Sequence, residues 1–302
     1  MKASSMSRPN SRERTSAVAK RHPSDANASK YLLFIDTNVW LDFYRMEGNE
    51  GAAKTLELIE HARPRLISTD QVQMEFMKHR QKTILDMLAR LKASEPVALP
   101  PIIADKKAAQ AMKAQKEAMD ERRKKLRSHV EQILLNPGTH DPVYRALQSI
   151  YANPTDLVLC RPKDERYVIR KLAEKRWKLG YPPRKDSDTS IGDAINWEWI
   201  IDCANRRDGH VIIVSRDQDY GRAYLDSIYL NDWLQQEYKA RVKGRCRVIL
   251  TNRLGSAFKR MAVTVPQQVI TAEGKLLSAS VTLIPGTATA YHPSPPDVCD
   301  LL

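Results

Sequence analysis

The sequence predicts an α/β fold with a central, mostly parallel sheet and an inserted basic helical region. Two observations carry this prediction. Short buried strands alternate with helices along most of the chain, which is the pattern of a parallel sheet with helical crossovers. The middle of the chain departs from that pattern, because it is rich in Ala, Lys and Arg and carries a large excess of basic residues.

The first strand begins where the composition changes abruptly. YLLFI at residues 31–35 is a short apolar run that ends in the polar residues 36–38. This is typical of a buried strand that delivers side chains at its carboxyl end. Helical spacing follows as far as residue 62. A second short strand is predicted at 65–69, and a capped helix at 71–93.

The middle of the chain predicts long helices. Residues 105–135 contain no Gly or Pro, so their helix propensity is high throughout. Residues 106–127 hold nine basic and three acidic residues, and residues 161–185 hold ten basic and three acidic residues. A solvated helical face explains either run alone. Two such runs between the same core elements favour a role in lining a groove, and we place the insertion at about 100–185.

The core pattern resumes at Ser187. An amphipathic helix is predicted up to residue 207, with a buried stripe that contains Ile191, Ile201 and Ala204. VIIV at 211–214 is a buried strand and also ends in polar residues. The remaining predicted elements are a helix at 231–238, a strand at 247–250 and a helix at 254–261. Beyond Thr264, one or two loose strands and an ordered arm both remain open.

Two of the buried strands lead into aspartate, Asp36 directly and Asp217 after two residues. The carboxyl ends of parallel strands line one edge of a sheet, so these two side chains are expected to face the same cleft. Asp193 and Glu75 lie early in helices that begin at that edge. Acidic groups packed together raise their own pKa values unless something compensates. A divalent cation such as Mg²⁺ or Mn²⁺ is the natural compensation, because it prefers carboxylate oxygens.

Four motifs in this order resemble the acidic motifs of the PIN domain nucleases: F-I-D-T-N-V-W, V-Q-M-E-F, S-I-G-D-A-I-N-W-E and V-S-R-D-Q-D-Y-G. The last two are most similar to a PIN-like bacterial subgroup. The resemblance covers about 31–90 and 186–261 and implies a three-layer α/β/α fold. It implies that the catalytic and metal-binding residues are Asp36, Glu75, Asp193 and Asp217.

The same resemblance adds further site residues. Asp219 matches an extra acidic position that is a candidate metal ligand, and Asn38 and Ser215 match the polar residues that support the first and fourth aspartates. Glu198 follows Asp193 by five residues on the same predicted helix, about 140° away on an ideal helix. We therefore expect Glu198 to have a supporting or structural role.

The resemblance implies a Mg²⁺- or Mn²⁺-dependent nuclease, and most closely an endoribonuclease that acts on single-stranded RNA. Its carboxylates would hold one or two ions that orient a water for in-line attack on a phosphodiester. Single-stranded DNA remains an alternative substrate. A toxin, an antiviral defence effector and an RNA-processing enzyme all fit, and an inhibitory or activating protein partner is compatible with these roles. The residues expected to grip the phosphate backbone are Arg122, Arg123, Lys124, Lys125, Arg184 and Lys185.

Three other interpretations stay open at this point. A haloacid dehalogenase-like phosphatase also begins with a strand that ends in aspartate, but its motif requires D-x-D and this chain has Asn38 at the second position. A catalytically weak PIN-like module would bind RNA without cleaving it, and the complete set of four acids argues against that. A scaffold would use the basic helices and the tail as docking surfaces.

Composition sets the remaining expectations. The 302-residue chain has a net charge of +13, which favours a polyanionic partner. The charge alone does not separate a nucleic acid from an anionic membrane surface. The chain contains no apolar run of about 18 residues, so no spanning helix is expected, and among the possible partners we expect a nucleic acid and no membrane. Its four cysteines lie more than forty residues apart and predict unpaired thiols in a cytoplasmic protein. We expect a flexible basic arm at 1–29, a PIN-like domain at 30–262, and a tail or small extension at 263–302.

Overall fold

The computed structural model describes residues 30–89, 102, 106–162, 164–183, 190–224 and 227–281. The predicted basic arm, Arg184, Lys185 and the last part of the tail lie outside these residues. The seven described strands are β1 (Tyr31–Ile35), β2 (Leu66–Thr69), β3 (Val158–Leu159), β4 (His210–Val214), β5 (Gly221–Tyr224), β6 (Ser227–Leu230) and β7 (Val248–Thr251). Five of them form a parallel sheet in the order β3-β2-β1-β4-β7, and β5 and β6 form an antiparallel hairpin.

Helices flank this sheet and confirm the predicted three-layer α/β/α fold. A short 3₁₀ turn at Arg63–Arg65 precedes β2. The described helices are α1 (Thr37–Asp42), α2 (Asn49–Ala62), α3 (Asp70–Ala89), α4 (Lys107–Leu135), α5 (Pro137–His140), α6 (Pro142–Ala152), α7 (Glu165–Lys178), α8 (Gly192–Arg207), α9 (Asp232–Arg241), α10 (Leu254–Arg260) and α11 (Gln267–Val281).

The sheet centre positions the predicted cleft. Residues 32–35 of β1 and 211–214 of β4 are buried, as expected for parallel strands covered on both faces. The two strands pair in register from Tyr31 opposite His210 to Ile35 opposite Val214. The chain runs outward from β1 through β2 to β3 and then returns to β4 on the other side of β1. This reversal makes the carboxyl ends of β1 and β4 the topological switch point, where open α/β sheets bind ligands.

Helix α8 is more deeply buried than its sequence pattern predicts. Every residue from 194 to 201 is buried, rather than one stripe. The helix lies in the interior, because it packs against α7 as well as against β2, β4 and α3. Trp199 illustrates the cost of this position, since its indole N–H must find a partner and donates to the Leu157 carbonyl at 2.9 Å.

The segment predicted as an insertion has two different parts. Helix α4 confirms the predicted long helix and projects into solvent, with Ala109 as its one buried residue. The second part belongs to the core. Strand β3 joins the sheet beside β2, with Ser68 opposite Val158. Helices α6 and α7 bury apolar residues against the same core, among them Leu147 and Ala173.

The described residues beyond Thr264 form a helix at Gln267–Val281, where the sequence left loose strands and an ordered arm open. Helix α11 packs closely on α2, where a Cβ at Gly51 would lie 2.5 Å from the Cβ of Ala272. Its buried Glu273 accepts hydrogen bonds from the backbone N–H groups of Leu254 (2.6 Å) and Gly255 (3.0 Å). This carboxylate caps the first turn of α10, so α11 is integrated into the folded domain.

No helix within the described ranges combines the length and the apolar character needed to cross a membrane.

Candidate active site

Asp36 ends β1 and caps α1, and its carboxylate is held in a fixed position. The side chain is buried, with 4% of its surface exposed. It accepts hydrogen bonds from the Thr37 backbone N–H (2.7 Å), the Asn38 amide (2.8 Å) and the Ser215 hydroxyl (2.6 Å). Because the Asp36 N–H also donates to the Val214 carbonyl at 3.0 Å, the sheet register itself places this side chain beside the end of β4.

The electrostatic surroundings of Asp36 identify its neighbours. The pKa of Asp36 is raised from its usual 3.8 to about 7. Burial is the largest cause, and the negative charges of Asp217 and Glu75 raise the pKa further. The hydrogen bonds from Ser215 and Thr37 oppose the shift. The structure therefore brings three of the predicted carboxylates together, as the strand-end argument required.

Glu75 reaches the same place from α3. Its carboxylate accepts hydrogen bonds from the Thr37 hydroxyl (3.0 Å) and the Gln71 amide (2.7 Å). The start of α8 lies directly against it, since a Cβ at Gly192 would lie 2.6 Å from a Glu75 oxygen and 2.5 Å from the Gln71 amide nitrogen. A Cβ at this position would displace the ends of the Gln71 and Glu75 side chains, so Gly192 lets them keep these positions beside the start of α8, where Asp193 lines the same cavity as Glu75.

A cavity of about 250 Å³ lies over these residues, and Glu75, Asp193 and Asp217 all line it. Two basic-type side chains, Lys78 and His79, line it as well. The other lining residues are Thr37, Asn38, Leu41, Gln71, Met74 and Ser190. An acidic floor with basic groups at its wall can hold a cation together with a phosphate.

The polar residues at the two strand ends hold the cluster together. The Ser215 hydroxyl donates to Asp36 and accepts from the Asp217 backbone N–H at 3.2 Å. The Asn38 side chain bridges the strands, because its amide donates to Asp36 and its oxygen accepts from the Arg216 N–H at 3.1 Å. Both expected supporting residues, Asn38 and Ser215, thus contact the first aspartate.

A comparison of the sequence with models of known protein families identifies the family of this chain. A family model described as a PIN domain matches residues 33–220, which is more than half of the chain. The chain belongs to the PIN domain family. PIN domains are nucleases that bind nucleic acid, and they generally use divalent metal ions. No curated protein and no solved structure gives a match.

The match also bears on the middle of the chain. It spans residues 100–185, which the sequence motifs alone left unexplained. This agrees with the position of β3, α6 and α7 within the core of the PIN domain.

The carboxylates of this PIN domain fit a hydrated divalent ion. They offer hard oxygen donors, and a cation would offset the repulsion that raises the pKa of Asp36. In the described part of the chain, no three His, Cys, Asp or Glu side chains come close enough to enclose an ion directly. Asp36, Glu75, Asp193 and Asp217 are the residues whose carboxylate oxygens would hold such an ion, together with waters.

Of the other two predicted acids, Glu198 lies elsewhere in the PIN domain and Asp219 lies next to the acidic cluster. Glu198 is buried in an ion-pair cluster with Arg176 (2.8 Å) and Arg241 (2.5 Å), so its contacts are structural. Asp219 is half-buried beside Tyr220 and is not among the residues that line the cavity.

The predicted basic residues that the structure describes lie on α4. Arg122, Lys124 and Lys125 are exposed there, and Arg123 pairs with Asp120 at 3.2 Å.

Tyr220 is a site residue that the motif analysis missed. Its side chain is fully buried, and its hydroxyl has no hydrogen-bond partner among the described residues. Burial raises the pKa of Tyr220 well above its usual value, and the charges of Asp193, Asp36, Glu75 and Asp219 raise it further. The hydroxyl therefore lies close enough to the acidic cluster to be affected by its charges. Its only sequence signal was its position directly after the fourth motif's acids.

Proposed function

We propose that this PIN domain is a metal-dependent endoribonuclease that hydrolyses phosphodiester bonds in single-stranded RNA. The observation that carries the proposal is the convergence of Asp36, Glu75 and Asp217. Burial is the largest cause that raises the pKa of Asp36 to about 7, and the charges of Asp217 and Glu75 raise it further. A fold gains no stability from packing carboxylates so that they repel one another. Such an arrangement is typical of a functional site that a ligand completes.

The proposed catalytic residues have different roles, which follow from their positions. Asp36 is rigid, since three hydrogen bonds orient its carboxylate. Asp193 and Asp217 line the cavity and present oxygens to its contents, and Glu75 is oriented by Thr37 and Gln71. These four carboxylates would hold Mg²⁺ or Mn²⁺. When bound, the ion supplies charge stabilisation for the phosphate oxygens and a more acidic water.

Single-stranded RNA is the proposed substrate on the basis of charge and family. Lys78 and His79 at the cavity wall can contact the phosphates next to the scissile bond. The exposed residues Arg122, Lys124 and Lys125 on α4 can hold the strand farther away without reading its sequence. In the cell, the proposed role is that of a toxin or defence effector, with a protein partner that inhibits or activates the nuclease.

One observation favours a second candidate function, a PIN-like module that binds RNA and cleaves it weakly. The exposed residues Arg122, Lys124 and Lys125 on α4 form a basic surface that does not depend on the carboxylates. An RNA-binding or scaffold role would need the basic surfaces and would not need the acids to act on a substrate.

A cleavage assay separates the two candidates. The purified full chain is incubated with labelled single-stranded RNA and with DNA of the same sequence, in Mg²⁺, in Mn²⁺ and in EDTA. We expect metal-dependent internal cleavage of the RNA. Asp36→Asn and Asp217→Asn should lower turnover about 100-fold or more, the scale on which loss of a preorganised charged group acts, while RNA binding persists.

Asp86→Asn is the matched control for these variants. Asp86 is an exposed aspartate on α3, three turns beyond Glu75, and its loss should leave cleavage unchanged. Binding of RNA without cleavage in either metal would support the binding module instead. Equal cleavage of RNA and DNA would leave the nuclease intact but overturn the proposed substrate.

A further inference from the structure

A second cavity lies at the opposite edge of the sheet from the acidic cluster. It has a volume of about 320 Å³ and is formed where the amino ends of β1 and β4 meet the loop before β7. We call it the amino-edge pocket and define it by Lys30, Tyr31, Asp208, His210, Arg245, Cys246 and Arg247. Strands of five residues separate it from the acidic cluster by about 13 Å.

The amino-edge pocket has an excess of positive charge. Lys30, Arg245 and Arg247 are exposed on its walls, and Asp208 is the one acidic residue among the described residues that line it. The Asp208 carboxylate accepts a hydrogen bond from the Cys246 thiol at 3.4 Å. Three permanent cations around one cavity favour an anionic ligand, and the guanidinium groups of arginine suit phosphate because they can donate two parallel hydrogen bonds.

The pKa and the hydrogen bond of His210 indicate a positive electrostatic potential inside this pocket. Its Nδ1 accepts a hydrogen bond from the Arg247 backbone N–H at 3.1 Å, which requires a neutral ring. Burial lowers the pKa of His210, and the charges of Arg247 and Lys30 lower it further, against a weaker effect of Asp208. The Tyr31 ring lies beside the imidazole, with ring centroids 5.0 Å apart.

We propose that the amino-edge pocket binds a phosphate group, with Lys30, Arg245 and Arg247 as its charged contacts. The cavity lies at the small end of the range for ligand pockets but exceeds what a phosphate alone needs. The Tyr31 and His210 rings can therefore lie beside the group that carries the phosphate. Two sources share this chemistry, a free nucleotide and the backbone of a nucleic acid.

The test uses the full chain in EDTA, so that no cleavage takes place. Histidine side-chain NMR signals are followed during titration with inorganic phosphate, AMP and a single-stranded oligonucleotide, and His210→Gln identifies the reporting signal. We expect saturable shifts of the His210 signal. We also expect a rise in its pKa, because a bound anion offsets the charges of Arg247 and Lys30. The tightest of the three probes assigns the source of the phosphate.

Charge reversal provides the matched comparison. Arg245→Glu should weaken phosphate binding about tenfold or more, as expected for loss of a charge-assisted hydrogen bond. Lys243→Glu changes an exposed basic residue of the same loop that does not line the pocket, and it should change binding less than about twofold. If both variants weaken binding equally, or if the His210 signal never saturates, the proposal is overturned.

The result is independent of the proposed nuclease. Asp36→Asn should abolish cleavage and leave phosphate binding at His210 unchanged. Loss of the His210 response in Asp36→Asn would assign the bound phosphate to the acidic cluster and overturn the amino-edge pocket.

Discussion

Two clusters of buried carboxylates in this PIN domain have opposite electrostatic balance. At the strand ends, Asp36 lies near Asp217 and Glu75, and its pKa is raised to about 7. Between α7, α8 and α9, Glu198 pairs with Arg176 and Arg241. Burial alone would raise the pKa of Glu198, but the hydrogen bonds and charges of the two arginines hold it below its usual value.

The difference shows which cluster stabilises the fold and which one serves a ligand. The Glu198 cluster contains its own counterions and is complete within the chain, and Glu237 adds a further acid that pairs with Arg241 at 2.8 Å. The Asp36 carboxylate accepts hydrogen bonds, but no counterion offsets its repulsion by the charges of Asp217 and Glu75 among the described residues. Stability measurements should therefore respond in opposite directions when one negative charge is removed from each cluster.

The largest expected effect is on the Glu198 cluster. Glu198→Gln leaves the buried Arg176 with less compensation, and we expect the free energy of unfolding to fall by about 3 kcal/mol. Urea denaturation measures the change. Glu165→Gln is the control, since it breaks an exposed ion pair with Arg206 and should cost less than about 0.5 kcal/mol. Equal losses in the two variants would contradict a stabilising role for the buried cluster.

The opposite result is expected at the strand ends. Asp36→Asn removes a repelled charge and keeps a side chain of similar shape, although its NH2 group cannot accept one of the hydrogen bonds that the carboxylate receives. We expect the metal-free protein at pH 8 to gain about 1 kcal/mol in its free energy of unfolding, as is common when a functional site is relaxed. A loss of stability comparable to that of Glu198→Gln would mean that the two clusters do not differ in kind.

The gain should depend on pH in a defined window. Folded protein holds the Asp36 proton up to a pKa of about 7, whereas the usual value is 3.8. Between these values the folded state binds more protons than the unfolded state, so the contribution of Asp36 to stability is lost as the pH rises. The advantage of Asp36→Asn in urea denaturation should be near zero at pH 4 and reach its maximum above pH 7. Added Mg²⁺ should reduce this advantage.

The contrast between the clusters also shows what the sequence could reveal. Strand ends and helix starts place residues at a sheet edge, so Asp36, Glu75, Asp193 and Asp217 could be assigned from short apolar runs and motif order. Glu198 is also acidic and lies on the same helix as Asp193. Its partners, Arg176 and Arg241, are 22 and 43 residues away in sequence, and no local pattern predicts such pairings.

Tertiary packing likewise decided the elements that the sequence did not predict. Strand β3 has only two residues and acquires its role by pairing with β2. Helix α11 has the sequence QQVITAEGKLLSASV, in which Gln, Ala, Leu, Glu and Lys favour a helix and Gly274 and four β-branched residues do not. Contact with α2 and the capping role of Glu273 hold it in place. Propensity is a weak predictor wherever such distant contacts dominate.

The smallest expected effect concerns Tyr220, whose hydroxyl lies among the acids without a partner in the described chain. A buried hydroxyl without a partner costs about 1 to 3 kcal/mol, so Tyr220→Phe should leave the metal-free protein as stable or slightly more stable. We expect the Tyr220 hydroxyl to form a hydrogen bond with a water molecule of a bound ion. Tyr220→Phe should then weaken Mn²⁺ binding about tenfold, measured by calorimetry. Tyr238→Phe is the control, because that buried hydroxyl donates to the Gly209 carbonyl at 3.4 Å. It should alter stability but not Mn²⁺ affinity, and unchanged Mn²⁺ binding in Tyr220→Phe would remove the hydroxyl from the site.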